Sequence, residues 1–205
     1  PQARKAGCVM AKTSVKLLVS FTVAGVAQSR GSKSIGRKKD GTSFVRDSNR
    51  KSGPWMRTVE KAARVAMQAA GKQPTAKPVK LVVTVYRERP KGHFGTGRNA
   101  AVLHQRAAAF PQTFPDITKV VRGIEDAMNE VVWVDDAQVT DQDNRKRFVE
   151  HESWEAYAAK EIAAGRVPKP HHDLWGKPRV LISVYELPAT VAEVYAQEKK
   201  QGVLV

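Results

Sequence analysis

The sequence predicts one α/β domain of the α+β kind, with a mixed sheet of about four strands and one or two helices packed on one face. Three observations predict it. Two stretches, near residues 15–22 and 80–86, alternate apolar and polar side chains as half-buried strands do. Two others, 54–70 and 117–131, repeat apolar residues at three- and four-residue steps. The length, 205 residues, suits one well-buried core and is short for two independent domains.

Residues 1–13, PQARKAGCVMAKT, have no apolar period and read as a flexible leader, with Met10 as an alternative start. Val15, Leu17, Val19 and Phe21 then alternate with Lys16, Ser20 and Thr22, broken only by Leu18. Lys16 followed by LLVSFTVAGVA also resembles a secretion signal, but the alternation favours a strand with one buried face. Between Arg30 and Lys51 stand eight basic residues, among them Arg37, Lys38, Lys39 and Arg46, against Asp40 and Asp47. Glycines at 31, 36 and 41 make this segment a mobile loop or a loose hairpin around Lys39-Asp40-Gly41.

Gly53-Pro54 opens a helix whose stripe is Trp55, Val59, Ala62, Ala66 and Met67, and Gly71 ends it. Lys80 to Tyr86 is a second strand, with Leu81, Val83 and Val85 inward. RERPKGHFGTGRN follows as a long basic loop containing Lys91 and Arg98, in which Phe94 could touch DNA. Ile117 to Val131 is amphipathic, Val131 to Val134 is a short strand-like run, and Gln138 to Phe148 is a polar strand. Ser153 can cap a helix, about 153–165, that Gly165 stops; Pro168 and Pro170 mark a linker; Arg179 to Leu187 is a closing strand. Thr190 and Glu193 form a capping box for a helical extension at 188–205, leaving 14–187 as the domain proper.

Thirty-five Lys and Arg against twenty Asp and Glu give a formal charge of +15, which favours nucleic acid or another anionic surface as partner. The one cysteine, Cys8, permits neither an internal disulfide nor a cysteine zinc site, and a reducing, cytoplasmic setting fits. No run reaches the roughly 18 apolar residues of a membrane-spanning helix, so no membrane role is expected.

In a chain this basic, grouped acids attract attention. Asp116 stands at the mouth of an amphipathic helix, and Asp135 and Asp136 end the next apolar run, where a turn can fold them back beside it. Two or three such oxygens can hold Mg²⁺ or Mn²⁺. Adjacent residues of an extended chain point to opposite faces, so Asp135 and Asp136 can both ligate only if the backbone turns there. Asp126, ten residues beyond Asp116, lies roughly 15 Å up the helix and cannot share one metal with it. An ion pair with Arg122 is expected for it instead. Arg122 is about 9 Å up the same helix, and its side chain either leans back toward a bound phosphate or lies solvated. Thr118 caps the helix or offers a hydroxyl to metal-bound water. Lys119 is either a phosphate contact or a plain surface lysine.

Other patterns carry less. GTGR at Gly95 to Arg98 lacks the spacing of a phosphate-binding loop. His171, His172 and Asp173 lack partners at zinc-site spacing, and Trp133 and Trp154 read as core anchors.

The segment FPDITKVVRGIEDAMNEVVWVDDAQV resembles the signature of the RusA-like Holliday-junction resolvases, whose acidic motif D-x-D-N-x-x-K is followed about twenty residues later by D-D-x-Q-V. Asp116 matches the first acid, Arg122 stands at the Lys, and Asp135, Asp136, Gln138 and Val139 match the second motif. Thr118 replaces the second acid and Lys119 the Asn, while Lys146 falls where members carry a lysine on the following strand. The resemblance implies a Mg²⁺-dependent endodeoxyribonuclease, with Mn²⁺ as an alternative ion, acting as a homodimer on four-way DNA junctions in a phage or bacterial host. It implies Asp116, Asp136 and Asp135 as metal-holding and catalytic groups, Asp136 foremost of the last two, with Arg122 beside the phosphate. Lys119, Lys146, Arg37, Lys38, Lys39, Arg46, Lys91 and Arg98 would hold DNA. Two other readings compete: a DNA-binding protein whose cleavage was lost with the second motif acid, and a basic RNA-binding protein whose acidic turn is structural.

Overall fold

A computed structural model of the chain describes residues 15–149, 154–166 and 176–200, without the side chains of Arg46, Trp154, Glu155 and 197–200. The expected leader, the Ser153 cap and the 168–173 segment with its two histidines lie outside the described residues. Six strands and four helices follow in the order β1 (Lys16–Ala24), β2 (Lys33–Arg37), β3 (Ser43–Asp47), α1 (Ser52–Ala69), β4 (Val79–Arg87), α2 (Ile117–Met128), β5 (Val139–Phe148), α3 (Trp154–Ala163), β6 (Arg179–Glu186) and α4 (Val191–Lys200).

Four strands make one mixed sheet in the order β1-β6-β4-β5, and β2 and β3 make a separate two-stranded ribbon. β6, the last strand expected from the sequence, runs antiparallel between β1 and β4, which explains its apolar face of Val180, Ile182 and Val184. β5 lies parallel to β4 at the edge. Parallel neighbours need a crossover, and α2 provides it. Such a strand–helix–strand unit sets the start of α2 beside the end of β4 and the start of β5 beside the start of β4, at opposite ends of the strands.

Val79, Leu81, Val83 and Val85 alternate inward along β4, each at most 1% exposed, and they share one core with α1 and α2. α1 contributes Trp55, Val59, Ala63 and Met67, and Gly71 ends it at φ +61°, with Lys72 N–H donating to the Met67 carbonyl at 3.0 Å. α2 contributes Val120, Val121, Ile124, Ala127 and Met128. Trp133, fully buried just beyond it, is the expected anchor.

β1 departs from simple alternation. Its register against β6 shifts between Leu17 and Val19, so Leu18 and Val19 are both buried while Leu17 is half exposed. The irregularity at Leu18 in the sequence is therefore a bulge, in which one extra residue turns the preceding side chains to the other face. At the far end of the chain the capping box forms, with Glu193 N–H donating to Thr190 Oγ1 at 3.2 Å and Ala189 N–H to Glu193 Oε2. Among the described residues no helix is long and apolar enough to cross a membrane.

Candidate active site on the crossover helix

Asp116 begins α2. Its Oδ1 accepts both the backbone N–H of Thr118, at 3.1 Å, and the Thr118 hydroxyl, at 3.0 Å. The cap is thus Asp116, not Thr118, whose hydroxyl is turned onto the carboxylate. An acid at this place also meets the positive end of the helix dipole. The segment before it is fixed by two cations: Lys146 Nζ on β5 donates to the carbonyls of Thr113 (3.0 Å) and Pro115 (3.3 Å), and Arg87 Nη1 donates to those of Thr113 and Phe114. Lys146 therefore stands beside Asp116, as its motif position implies.

Helical geometry sorts the exposed side of α2 into two flanks. Thr118 and Glu125, seven residues apart, face β5, where Gln142 Nε2 donates to Glu125 Oε1 and Asn144 Nδ2 donates to Gln142 Oε1 at 2.9 Å. Lys119 and Asp126, also seven apart, face the chain that follows β1. There Arg30 N–H donates to the Lys119 carbonyl at 3.0 Å, and the Arg30 guanidinium pairs with Asp126 at 2.6 Å. This pair takes the place of the expected Asp126–Arg122 contact, because the fold brings a better-placed guanidinium from 96 positions upstream. Arg122, exposed, lies between the flanks. With Arg30, Lys33 and Lys119 it lines a cavity of about 620 Å³ between α2 and the ribbon, completed by Gly31, Ser32, Val45 and Asp47.

The second acidic motif is a short 3₁₀ turn, Asp136–Gln138. Asp135 caps it by accepting the Ala137 N–H at 2.8 Å, while Gln138 Oε1 accepts the N–H groups of Val134 (3.0 Å) and Asp135 (2.8 Å). The Gln138 amide then donates to the carbonyls of Thr75 (2.9 Å) and Lys77 (2.8 Å). One side chain thereby satisfies four backbone groups and fastens the turn to the segment entering β4, which explains the Gln of the motif. Asp136, exposed, is left facing Glu125 closely enough to be felt: the Glu125 carboxyl is pushed above its ordinary range by burial first, then by the charges of Asp126 and Asp136.

The named acids thus occupy opposite ends of α2, and the turn does not fold Asp135 and Asp136 back beside Asp116 as the sequence suggested. Glu125 is about 13 Å along the axis from Asp116, at 1.5 Å per residue. Among the described residues no group of three or more His, Cys, Asp or Glu side chains forms a ready-made metal cage. Glu125 and Gln142 are the polar residues of this strip that sequence reasoning passed over. The available signal was spacing, since Glu125 repeats the helix face of Thr118 two turns on. Of the remaining basic positions, Arg37, Lys38, Lys39, Lys91 and Arg98 are exposed, the first three on or beside the ribbon and the last two in 3₁₀ turns of the 88–115 loop.

The crossover helix thus opens on an acid, has a second acidic turn riveted beside its far end, and lines a cation-rich cavity with the ribbon. The sequence matches the family profile of endodeoxyribonuclease RusA over residues 26–155, and the chain belongs to that family. It is also 34% identical over 125 residues to the uncharacterized protein YqaN of Bacillus subtilis (strain 168), an alignment covering 60% of this chain and 82% of that protein. The matched region contains α2, the acidic turn and β5, whereas the central strand β6 lies beyond it. Family membership implies an endodeoxyribonuclease, a hydrolase that binds branched DNA.

Proposed function

We propose that this chain is a divalent-metal-dependent, homodimeric nuclease that resolves four-way DNA junctions by hydrolysing one phosphodiester in each of two opposed strands. The observation that carries the reading is a rigidly capped Asp116 on the helix that also bears Lys119 and Arg122, with the riveted Asp136 turn at its far end, all within the family match. Two-fold cutting of a two-fold substrate needs two sites, which a homodimer supplies.

The donor set suits Mg²⁺ or Mn²⁺. Mg²⁺ keeps several waters and is held by one or two carboxylates together with substrate phosphates, so an all-protein cage is not required. Asp116 would hold it together with substrate phosphate; Asp136, at the far end of α2 and too distant to share that ion, would hold a separate one, and Asp135, whose Oδ1 already caps the turn, is the weaker donor. When bound, the ion supplies a Lewis acid and a water of lowered pKa. Thr118 orients the Asp116 carboxylate, Gln138 fixes the backbone of the turn, Arg122 neutralises the charge that builds on the phosphate, and Lys119 and Lys146 hold the flanking strand.

A second reading has one observation in its favour. The Thr118 hydroxyl is turned onto Asp116 Oδ1 where the family pattern has an acid, which fits a junction-binding protein that no longer cuts. Incubating the protein with a synthetic four-way junction, linear duplex and RNA, with and without Mg²⁺ or Mn²⁺, separates the readings. Metal-dependent nicking confined to the junction, reduced roughly 10²–10³-fold in Asp116→Asn and Asp136→Asn, is expected, since a lost metal contact removes several kcal/mol of transition-state stabilisation. Tight junction binding without nicking in either metal would establish the second reading, and equal preference for RNA would refute both.

A further inference from the structure

Alternation and register place Lys33, Ile35 and Arg37 of β2 and Ser43, Val45 and Asp47 of β3 on one face of the ribbon, with Ile35 directly opposite Val45. These two β-branched side chains are 77% and 64% exposed. The reverse face is used internally: a Cβ built on Gly36 would fall 2.6 Å from the Phe44 ring, so that ring packs flat over the glycine backbone. The ribbon's base is held firmly. Asp47 Oδ1 accepts the N–H groups of Gly31 and Asn49, each at 2.8 Å, the Asn49 amide donates to the Ser29 carbonyl at 2.8 Å, and Arg30 is tied to α2. Ile35 is bracketed along β2 by Lys33 and Arg37, while Val45 is flanked along β3 by Ser43 and by Asp47, whose carboxylate is occupied by backbone donors. Val45 and Lys33 also line the cavity that Lys119 and Arg122 close from the helix.

We propose that this ribbon face is the element that recognises the branch point: Ile35 and Val45 press against unstacked bases while Lys33 and Arg37 hold the phosphates on either side. The inference rests on the nuclease reading and deepens it by naming what confers preference for branched DNA. Charge complementarity selects the occupant. Cations bracketing an apolar side chain match a strand whose phosphates flank exposed base faces, and on this face they outnumber the one anion, Asp47, whose carboxylate already accepts backbone donors. A continuous duplex keeps its base faces stacked inside. A branch point offers them at a lower unstacking cost, and apolar side chains wedge into such steps in other DNA-bending proteins.

The test uses four-way junctions carrying 2-aminopurine either at the branch point or in the middle of an arm, with the full chain and with Ile35→Ser/Val45→Ser. Because both positions are exposed, the double variant is expected to fold, as a thermal melt checks. Wild type is expected to raise emission at the branch point and not in the arm. The double variant loses that signal, and its junction affinity falls roughly tenfold, toward that for duplex. A second variant, Ile35→Trp, is expected to show indole quenching by the junction and none by duplex. A double variant that keeps the branch-point signal overturns the ribbon assignment, and if wild type still nicks the junction the nuclease reading stands. Conversion of a dimer to a monomer by the double variant overturns it in favour of an interface between copies. Wild type that neither binds nor nicks the junction removes the nuclease reading and this inference with it.

Discussion

Two cross-strand pairs of the same chemical kind have opposite fates in this molecule. Val83 of β4 faces Ile182 of β6 and both are completely buried; Ile35 of β2 faces Val45 of β3 and both stand in solvent. A pair of β-branched side chains suits a pleated surface in either place. What differs is the layer above it. The sheet pair lies in the core shared with α1 and α2, where burying each such side chain contributes about 1.5–3 kcal/mol. The ribbon pair has no such layer and is available to a partner. Local sequence makes the strand, and the tertiary cover decides whether its β-branched pair is buried in the core or left at the surface.

The sharpest way to break that contrast is to truncate one member of each pair. Ile182→Ala is expected to cost about 2–5 kcal/mol in urea unfolding, whereas Ile35→Ala should stay within about 0.5 kcal/mol of wild type. Equal losses would mean that the ribbon is covered in solution. Between these extremes lies the acidic turn. Gln138→Ala leaves four backbone groups without their partner, and a loss of about 1–3 kcal/mol is expected, together with reduced nicking although no proposed metal donor is altered. Full activity with lowered stability would limit Gln138 to the fold.

The smallest effect is a difference in pH response. Glu125, raised above its ordinary value of 4.5 by burial and then by Asp126 and Asp136, supports α2 fully below that value and loses this support as pH rises through its raised one. Asp40 at the ribbon tip behaves oppositely. The Thr42 hydroxyl and then the Thr42 backbone N–H hold it below its ordinary 3.8, so its support is present above 3.8 and lost as pH falls through the lowered value. On acidification, amide protection, corrected for the intrinsic exchange rate at each pH, should rise around α2 first and fall in the ribbon later. Glu125→Gln is expected to abolish the first change and Asp40→Asn the second; a common response in both regions would contradict the separate causes.

Much of this architecture is legible in sequence wherever the cause is local. The stripes of α1 and α2, the alternation of β4, the ends at Asp116 and Gly71, and the turn at Asp135-Asp136 are set by residues within a few positions of one another. The rest depends on distant partners. Leu17 and Leu18 are equally apolar, and only the register of β6 decides which is buried. Asp126 has an arginine one turn away, yet it pairs with Arg30 because the chain after β1 is laid along α2. Glu125, raised first by burial and then by Asp126, gains the Asp136 charge and the Gln142 hydrogen bond only after β5 returns beside the helix.

The amide that joins the acidic turn to Thr75 and Lys77 makes the connector between α1 and β4 a measuring rod for the chemistry. Adding or removing a residue between Gly71 and Val79 would displace Asp136 even though no charged group had changed. The position of the turn is therefore set as much by the length of this upstream link as by the residues of the turn itself.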